Sequence, residues 1–314
     1  MLDVWVINRN FSDLGSLRKG IIKISRNKAN KPYTILLVGE TGVGKSSILE
    51  FIANTLIGND IDHYDFQILD HTSEQSGSDN QSQTNSARMY ELSSKNGIVV
   101  SVNVFSWVGI TSSKVRILDT PGLADTRGLQ QDGLHKQSIA TQIQDHIDSV
   151  TAVLILANGT VRATVGPDYA LFPKSLASNT AFVFTNVLSP LSWNFSGDTI
   201  PSGFKDAPYF FLNNPVALQK KYLQLKDDPG MKEIKEDMRN AVISSEKKAL
   251  GTLVELFDWL DGLEPQPTMT MCSPHGEPQA IEGMIPSALE PMVQVAANED
   301  KNPVSLHLDY TFSF

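Results

Sequence analysis

The residues with the most specific chemistry are Gly39-Glu40-Thr41-Gly42-Val43-Gly44-Lys45-Ser46, which fit the pattern G-x-x-x-x-G-K-[ST] at every fixed position. Glycines at these places let successive backbone N–H groups turn toward a phosphate, and a following helix directs its positive end at the same anion. In such a loop Lys45 reaches the β- and γ-phosphates and the Ser46 hydroxyl ligates Mg²⁺. The pattern predicts a site for a Mg²⁺–nucleoside triphosphate that also includes Ser47. The alternative is a glycine-rich turn with an idle lysine.

The elements on both sides of this loop are those that a phosphate loop requires. Residues 33–38 form a short apolar run between Pro32 and Gly39, which predicts a buried strand. Residues 45–56 carry apolar side chains at helical spacing, which predicts a helix. The loop is therefore expected to connect a buried strand to a helix.

A second motif, which begins with an acidic residue, follows another predicted strand. Residues 115–118 are mainly apolar and lead into Asp119-Thr120-Pro121-Gly122. In P-loop proteins an acid at this place holds Mg²⁺, usually through water. In GTPases the glycine of Asp-x-x-Gly senses the γ-phosphate with its backbone N–H, so Asp119 and Gly122 are predicted to take these two roles.

A polar segment lies between the two motifs. Residues 72–86 contain no apolar side chain and cannot bury themselves, which predicts a mobile loop. A GTPase needs a threonine in such a loop to reach Mg²⁺ and the γ-phosphate. We assign this role to Thr84, which lies just before the strand predicted from Arg88. Thr72 is the rival candidate. The alternative is that Thr84 is simply a solvated loop residue.

Together, residues 39–46, 82–84 and 119–128 resemble the septin and immune-associated (GIMAP-type) branch of the TRAFAC P-loop GTPases. Within that branch they look most like uncharacterised G-domain proteins found in many copies in fungi. The resemblance covers residues 30–262 and implies a Ras-like sheet, Mg²⁺, GTP and GDP as ligands, and GTP hydrolysis. It also implies dimerisation across the nucleotide face in many members.

One departure from the family pattern concerns hydrolysis. Leu123 stands where Ras-type enzymes carry a glutamine that orients water, and a leucine cannot polarise water. Hydrolysis is therefore expected to be slow or to need another group. Arg127 is the candidate for that group, in cis or across a dimer; its alternative is a surface ion pair with Asp125 or Asp132.

Another departure concerns the choice of base. The guanine motif [Asn/Thr]-Lys-x-Asp is expected after the strand predicted at 181–185, where this chain has Thr185-Asn186-Val187-Leu188. Without the aspartate, the carboxylate that accepts hydrogen bonds from guanine N1–H and the exocyclic amine is missing. Thr185, Asn186 and Asn213 are the remaining candidates for contact with the base.

The stretch 99–113 is longer than the usual strand pair before Asp119, which fits an extended hairpin or sequence foreign to the mature fold. For residues 264–314, where seven of the 16 prolines lie in 265–303, the alternatives are a poorly structured tail and sequence foreign to the mature fold. We expect a helical lead-in over 1–30, a G domain with C-terminal helices over 31–263 and a poorly structured tail over 264–314.

Composition limits the partners and the compartment. A net charge of −9 argues against nucleic acid as the main partner. The sequence has no run of 18 apolar residues, so no membrane span is predicted. Cys272 is the single cysteine of the 314 residues and the N-terminus lacks the features of a signal peptide, so a reducing, cytoplasmic location is expected.

Alternating buried strands and helices predict a three-layer α/β P-loop NTPase with a mostly parallel sheet. The predicted function is slow hydrolysis of Mg-GTP to GDP in a conformational or assembly switch. The alternatives are a P-loop ATPase or kinase, and a nucleotide-dependent interaction module with negligible turnover. The effector is not indicated by the sequence.

Further elements are predicted as strands at 88–92, 98–104, 151–157 and 209–212, and as helices at 136–149, 168–176 and 213–263, the last broken at 228–230.

Overall fold

The computed structural model describes the chain from the first predicted strand to just beyond the last predicted helix, with gaps. The described residues are 33–68, 87–93, 114–122, 139, 142–143, 145–160, 174–187, 189–195, 200 and 204–268. The predicted lead-in over 1–30, the polar loop 72–86, the strand at 98–104 and the tail beyond residue 268 lie outside them.

Six strands form a mixed sheet in the order β2-β3-β1-β5-β6-β7. Neighbouring strands are parallel except β2 and β3, which are antiparallel. The strands are β1 (Tyr33–Gly39), β2 (Arg88–Ser93), β3 (Lys114–Asp119), β5 (Ala152–Asn158), β6 (Thr180–Thr185) and β7 (Tyr209–Leu212). This mostly parallel sheet with its flanking helices is the Ras-like P-loop architecture predicted from the sequence, and the predicted fold class is confirmed.

Helices connect the strands and continue past the last of them. The α-helices whose bounds lie in the described residues are α1 (Lys45–Ile57), α2 (Lys174–Ala177), α3 (Pro215–Leu225) and α4 (Lys235–Asp261). Pro190–Ser192 and Pro229–Ile234 are 3₁₀ turns, and the second interrupts the helical C-terminal part where Asp228-Pro229-Gly230 predicts a break. No helix among the described residues is long and apolar enough to cross a membrane.

The sheet carries two apolar clusters, one on each face. On β6, Ala181 and Val183 belong to the cluster that packs against α1 and α4. The alternate residues Phe182 and Phe184 belong to the other cluster, with Phe195, Ile200 and Phe204. Because successive side chains of a strand point to opposite faces, a strand that is apolar throughout must be covered on both sides. The central strands are therefore buried between two layers.

A short two-stranded sheet joins the start of β5 to the chain after α4. Here β4 (Ser149–Val150) pairs antiparallel with β8 (Gln266–Pro267). The buried Asn179 side chain donates through Nδ2 to Thr151 O at 2.8 Å and to Glu264 O at 2.9 Å. The helix predicted over 136–149 is therefore too long at its C-terminal end, because Ser149 is already part of this strand pair.

Candidate functional site

The phosphate loop connects β1 to α1, as the sequence predicts. Gly42 and Gly44 have φ angles of 79° and 92°, in the left-handed region that glycine enters at little cost. Gly44 is the N-cap of α1, so the helix begins at Lys45 directly after the last turn of the loop. Orphan N–H groups at the start of a helix favour anions, and this is where a phosphate would lie.

Lys45 is folded back over the loop. Its ammonium Nζ donates to Gly39 O at 3.0 Å and to Glu40 O at 2.8 Å. The side chain is buried, and this burial lowers the pKa of Lys45 to about 8, while the carboxylates of Asp119 and Glu40 act in the opposite direction. The loop therefore holds a buried cationic group at the place where phosphate charge is predicted to be neutralised.

Ser46 and Asp119 meet, although they are 73 residues apart. Ser46 Oγ donates to Asp119 Oδ2 at 2.7 Å. Burial raises the pKa of Asp119, and the hydrogen bond from Ser46 and the charge of Lys45 counteract this rise. The second oxygen, Asp119 Oδ1, is buried and accepts no hydrogen bond from the described residues. An unpaired buried carboxylate oxygen is costly, so it marks a place for a further donor or a cation.

This pair of groups fits Mg²⁺. Carboxylate and hydroxyl oxygens are hard ligands, and Mg²⁺ at nucleotide sites keeps several waters and is bound by one or two protein groups plus phosphates. The described residues hold no cluster of three or more His, Cys, Asp or Glu side chains that could bind a metal alone. Ser46 and Asp119 would therefore hold Mg²⁺ together with a nucleotide, as the sequence predicts.

The segment after β3 packs directly on the phosphate loop. A methyl group added to Gly122 would lie 2.1 Å from Thr41 Oγ1 and 2.5 Å from Thr41 Cα, closer than real contacts allow. Thr120 Oγ1 donates to Leu37 O at 2.7 Å and so fixes the same segment to β1. Thr41 Oγ1 is buried and has no partner among the described residues. The two predicted phosphate-binding segments are thus in van der Waals contact.

The candidate base contacts lie along the same edge of the sheet. The strands β1, β5, β6 and β7 are parallel, so the loops that follow them share one edge, where ligands of open α/β sheets bind. Thr185 is buried at the end of β6, and the exposed Asn186 has a φ of 61°, in the left-handed region that asparagine enters more readily than most other residues. Asn213 follows β7 and its Nδ2 donates to Ser245 Oγ at 3.1 Å.

The structure adds one residue that the sequence analysis did not single out. Ser245 is buried on the face of α4 that carries the apolar residues Val242, Ala249 and Leu253. A serine at a position where helical spacing predicts an apolar side chain is the signal that could have identified it. The predicted residues Thr84 and Arg127, and the departures Leu123 and Leu188, lie outside the described residues.

Comparison with known families adds to this geometry. Residues 34–168 match the sequence model of a family described as 50S ribosome-binding GTPase. This part of the chain has the sequence pattern of a P-loop GTPase. The match spans the phosphate loop and the segment from Asp119 to Gly122 but ends before β6, so it does not reach the candidate base contacts. A search of curated proteins found no match.

Among solved structures, the chain is similar to Toc33 from Arabidopsis thaliana. A dimerization-deficient mutant of Toc33 is 18% identical, with a TM-score of 0.40, over 63% of this chain and 79% of Toc33. Toc33 in complex with Mg²⁺ and GMPPNP is 17% identical, with a TM-score of 0.38, over 65% of this chain and 80% of Toc33. Toc33 in complex with GDP and Mg²⁺ is 17% identical, with a TM-score of 0.34, over 63% and 82% of the two chains. Scores this low do not assign a function.

The contact between Gly122 and the phosphate loop gives a prediction about stability. We expect Gly122→Ala to lower the free energy of unfolding by about 1–3 kcal/mol, because the methyl group overlaps the Thr41 backbone as well as its side chain. The matched control is Gly251→Ala in the interior of α4, where an added methyl group meets no atom within 4 Å. It should raise stability by about 0.5–1 kcal/mol. Equal effects of the two variants in urea unfolding would contradict the close packing at Gly122.

Proposed function

We propose that this chain binds Mg-GTP and hydrolyses it slowly to GDP, and that the change of nucleotide acts as a conformational or assembly switch. The observation that carries this proposal is the buried carboxylate of Asp119, which meets Ser46 with one oxygen and keeps the other without a hydrogen-bond partner in the described part of the chain. The family model that matches residues 34–168 supports GTPase chemistry. Membership of the septin and immune-associated branch remains part of the proposal.

In this mechanism the protein supplies positioning and charge. Lys45 leaves the carbonyl oxygens of Gly39 and Glu40 and neutralises the β- and γ-phosphates, while the loop N–H groups of residues 40–46 donate to phosphate oxygens. Ser46, Thr84 and Asp119 would hold Mg²⁺, which would supply further neutralisation of phosphate charge. Catalysis of phosphoryl transfer rests largely on such electrostatic stabilisation.

Gly122 connects the nucleotide to the rest of the protein. Its backbone lies against Thr41 of the phosphate loop, so a ligand that enters the loop acts directly on the segment after β3. The N–H of Gly122 is the proposed sensor of the γ-phosphate. Loss of that phosphate would release the segment that begins at residue 123.

Slow turnover follows from the residue types after Gly122. Leu123 has no polar atom to orient the attacking water, so the step lacks the glutamine of Ras-type enzymes. Arg127 is the proposed substitute, either in its own site or in the site of a second copy of the chain. A homodimer across the nucleotide face would bring this second copy into place.

Two alternative functions differ from the proposed one, the first in the base that the protein binds and the second in the rate of turnover. A P-loop ATPase or kinase is favoured by Leu188, which replaces the carboxylate that selects guanine in GTPases. A nucleotide-dependent interaction module is favoured by Leu123, because a protein without a water-orienting group can bind GTP and assemble without turnover.

The rate of a single turnover tests the proposed hydrolysis. Phosphate release is measured with protein in excess over GTP, at rising protein concentration and with Mg²⁺ or EDTA. We expect slow, Mg²⁺-dependent release. A rate constant that rises with protein concentration indicates that Arg127 comes from a second copy of the chain, and a constant non-zero rate indicates that it acts in its own site. A rate near zero at every concentration would support the interaction module instead.

The choice of base is tested by titrating GTP and ATP in parallel against the wild type and Asn213→Ala. We expect GTP to bind more tightly, and the ratio of the two affinities to fall by about tenfold in Asn213→Ala, the equivalent of one hydrogen bond to the base. Asn194→Ala is the control, since Asn194 is exposed and its Nδ2 donates to Thr160 O in a neighbouring loop. Tighter binding of ATP by the wild type would favour the ATPase or kinase.

A further inference from the structure

Among the described residues, β7 is an edge strand of the main sheet, and α4 covers part of its outer edge. The carbonyl of Pro208 accepts from Phe182 N, so alternate carbonyls of this strand face β6. The carbonyls of Phe211 and Asn213 lie on the other side of the strand, where the sheet ends. Unpaired backbone groups at a sheet edge need other partners.

Two hydroxyl groups of α4 supply these partners. Thr252 Oγ1 donates to Phe211 O at 2.9 Å, and Ser245 Oγ donates to Asn213 O at 3.1 Å. The two hydroxyls are seven residues apart, two turns of the helix, and therefore lie on the same face. The carbonyls that they bond are two residues apart in an extended chain. The helix α4 thus runs along the edge of β7 and donates hydrogen bonds to this part of the chain at two points.

Only the Ser245 contact also involves a side chain at the proposed base site. Asn213 Nδ2 donates to Ser245 Oγ at 3.1 Å, in addition to the bond from Ser245 Oγ to Asn213 O. A serine hydroxyl has one proton. Since that proton is donated to Asn213 O, the oxygen of Ser245 can only accept from the Asn213 side chain. The Asn213 amide is therefore oriented with its nitrogen toward Ser245 and its oxygen away from it.

This orientation has a consequence for the base. No described residue donates a hydrogen bond to Asn213 Oδ1, so Asn213 keeps this acceptor for a ligand, beside the one amide N–H that does not bind Ser245. Guanine carries donors at N1 and at its 2-amino group, whereas adenine has an acceptor at N1 and no donor at C2. Asn213 Oδ1 would favour guanine by accepting from N1–H and the 2-amino group, and would so partly replace the carboxylate that is missing at Leu188. The same oxygen beside C6 would instead favour the 6-amino group of adenine.

We propose that Ser245 is a positioning residue for base selection, which acts by fixing the orientation of the Asn213 amide. This inference rests on the proposed function, since it requires a nucleotide whose base lies beside Asn213. Ser245 does not contact the nucleotide itself. It is buried in α4 and acts through the two hydrogen bonds that it makes with one residue.

The test compares Ser245→Ala with two controls. Ser244→Ala removes the hydroxyl of the exposed neighbour in the same helix, and Thr252→Val removes the other hydroxyl that binds the edge of β7. The affinities for Mg-GTP and Mg-ATP are measured for each variant by competition with a fluorescent nucleotide. We expect the GTP-to-ATP affinity ratio to fall by about tenfold in Ser245→Ala and to stay unchanged in both controls.

Urea unfolding and a double mutant separate positioning from a general effect on the fold. Thr252→Val and Ser245→Ala should both lower stability, but only the second should lower the ratio. Asn213→Ala/Ser245→Ala should have the same ratio as Asn213→Ala alone, because Ser245 acts through Asn213. If Ser245→Ala does not fold, Ser245→Cys retains a side chain at this position with a weaker donor, and the same fall is expected.

Two outcomes would overturn the inference and are distinguishable. If the wild type prefers GTP and Ser245→Ala has the same ratio, or if the double mutant is additive, Ser245 does not position Asn213. If the wild type binds neither nucleotide, the proposed function fails, and this inference fails with it.

Discussion

The hydrogen bond between Ser46 and Asp119 is the interaction on which the site depends. It joins the first turn of α1 to the end of β3, and the other carboxylate oxygen, Asp119 Oδ1, accepts no hydrogen bond from the described residues. A buried carboxylate in this state is stabilised by a cation or lost to protonation, and burial already raises its pKa. The rest of the sheet places this pair beside Lys45 and the glycines of the loop. The structure thus places a buried carboxylate with one unpaired oxygen beside the phosphate loop, where a bound cation would compensate its charge.

The parallel sheet determines how such a ligand could extend. Neighbouring strands are about 4.8 Å apart, so β6 and β7 end roughly 10 and 14 Å from β1 at the same edge. A nucleotide whose phosphates lie over the loop after β1 would therefore direct its base toward Thr185, Asn186 and Asn213. The contact of α4 with Asn213 connects the last helix to this end of the site. The phosphate end and the base end are built from different parts of the chain, and only the first is covered by the matched family model.

The strand, turn and helix at the phosphate loop could be predicted from the sequence because they follow each other directly in the chain. The glycines of residues 39–44 and the start of α1 follow each other in the chain, so the pattern alone determines the turn and the helix dipole. The strand that ends in Asp119 was predicted from a short apolar run for the same reason. Pairing between distant segments was not predictable: Ser245 is 32 residues from Asn213, and β8 meets β4 across more than a hundred residues. Helical spacing shows that Ser245 faces the core but not which backbone group it bonds. The assignments of Thr84 and Arg127 stay predictions.

Equilibrium binding of GTP to the wild type and to Lys45→Ala, each with Mg²⁺ and with EDTA, tests the central claim most directly. The account predicts that the wild type binds GTP and that EDTA weakens this binding. It also predicts a loss of affinity of about 100-fold in Lys45→Ala, because a hydrogen bond between charged groups is worth about 1.5–3 kcal/mol and Lys45 is proposed to bind the β- and γ-phosphates. Unchanged affinity in a folded Lys45→Ala protein would contradict the assignment of residues 39–46 as the phosphate-binding loop.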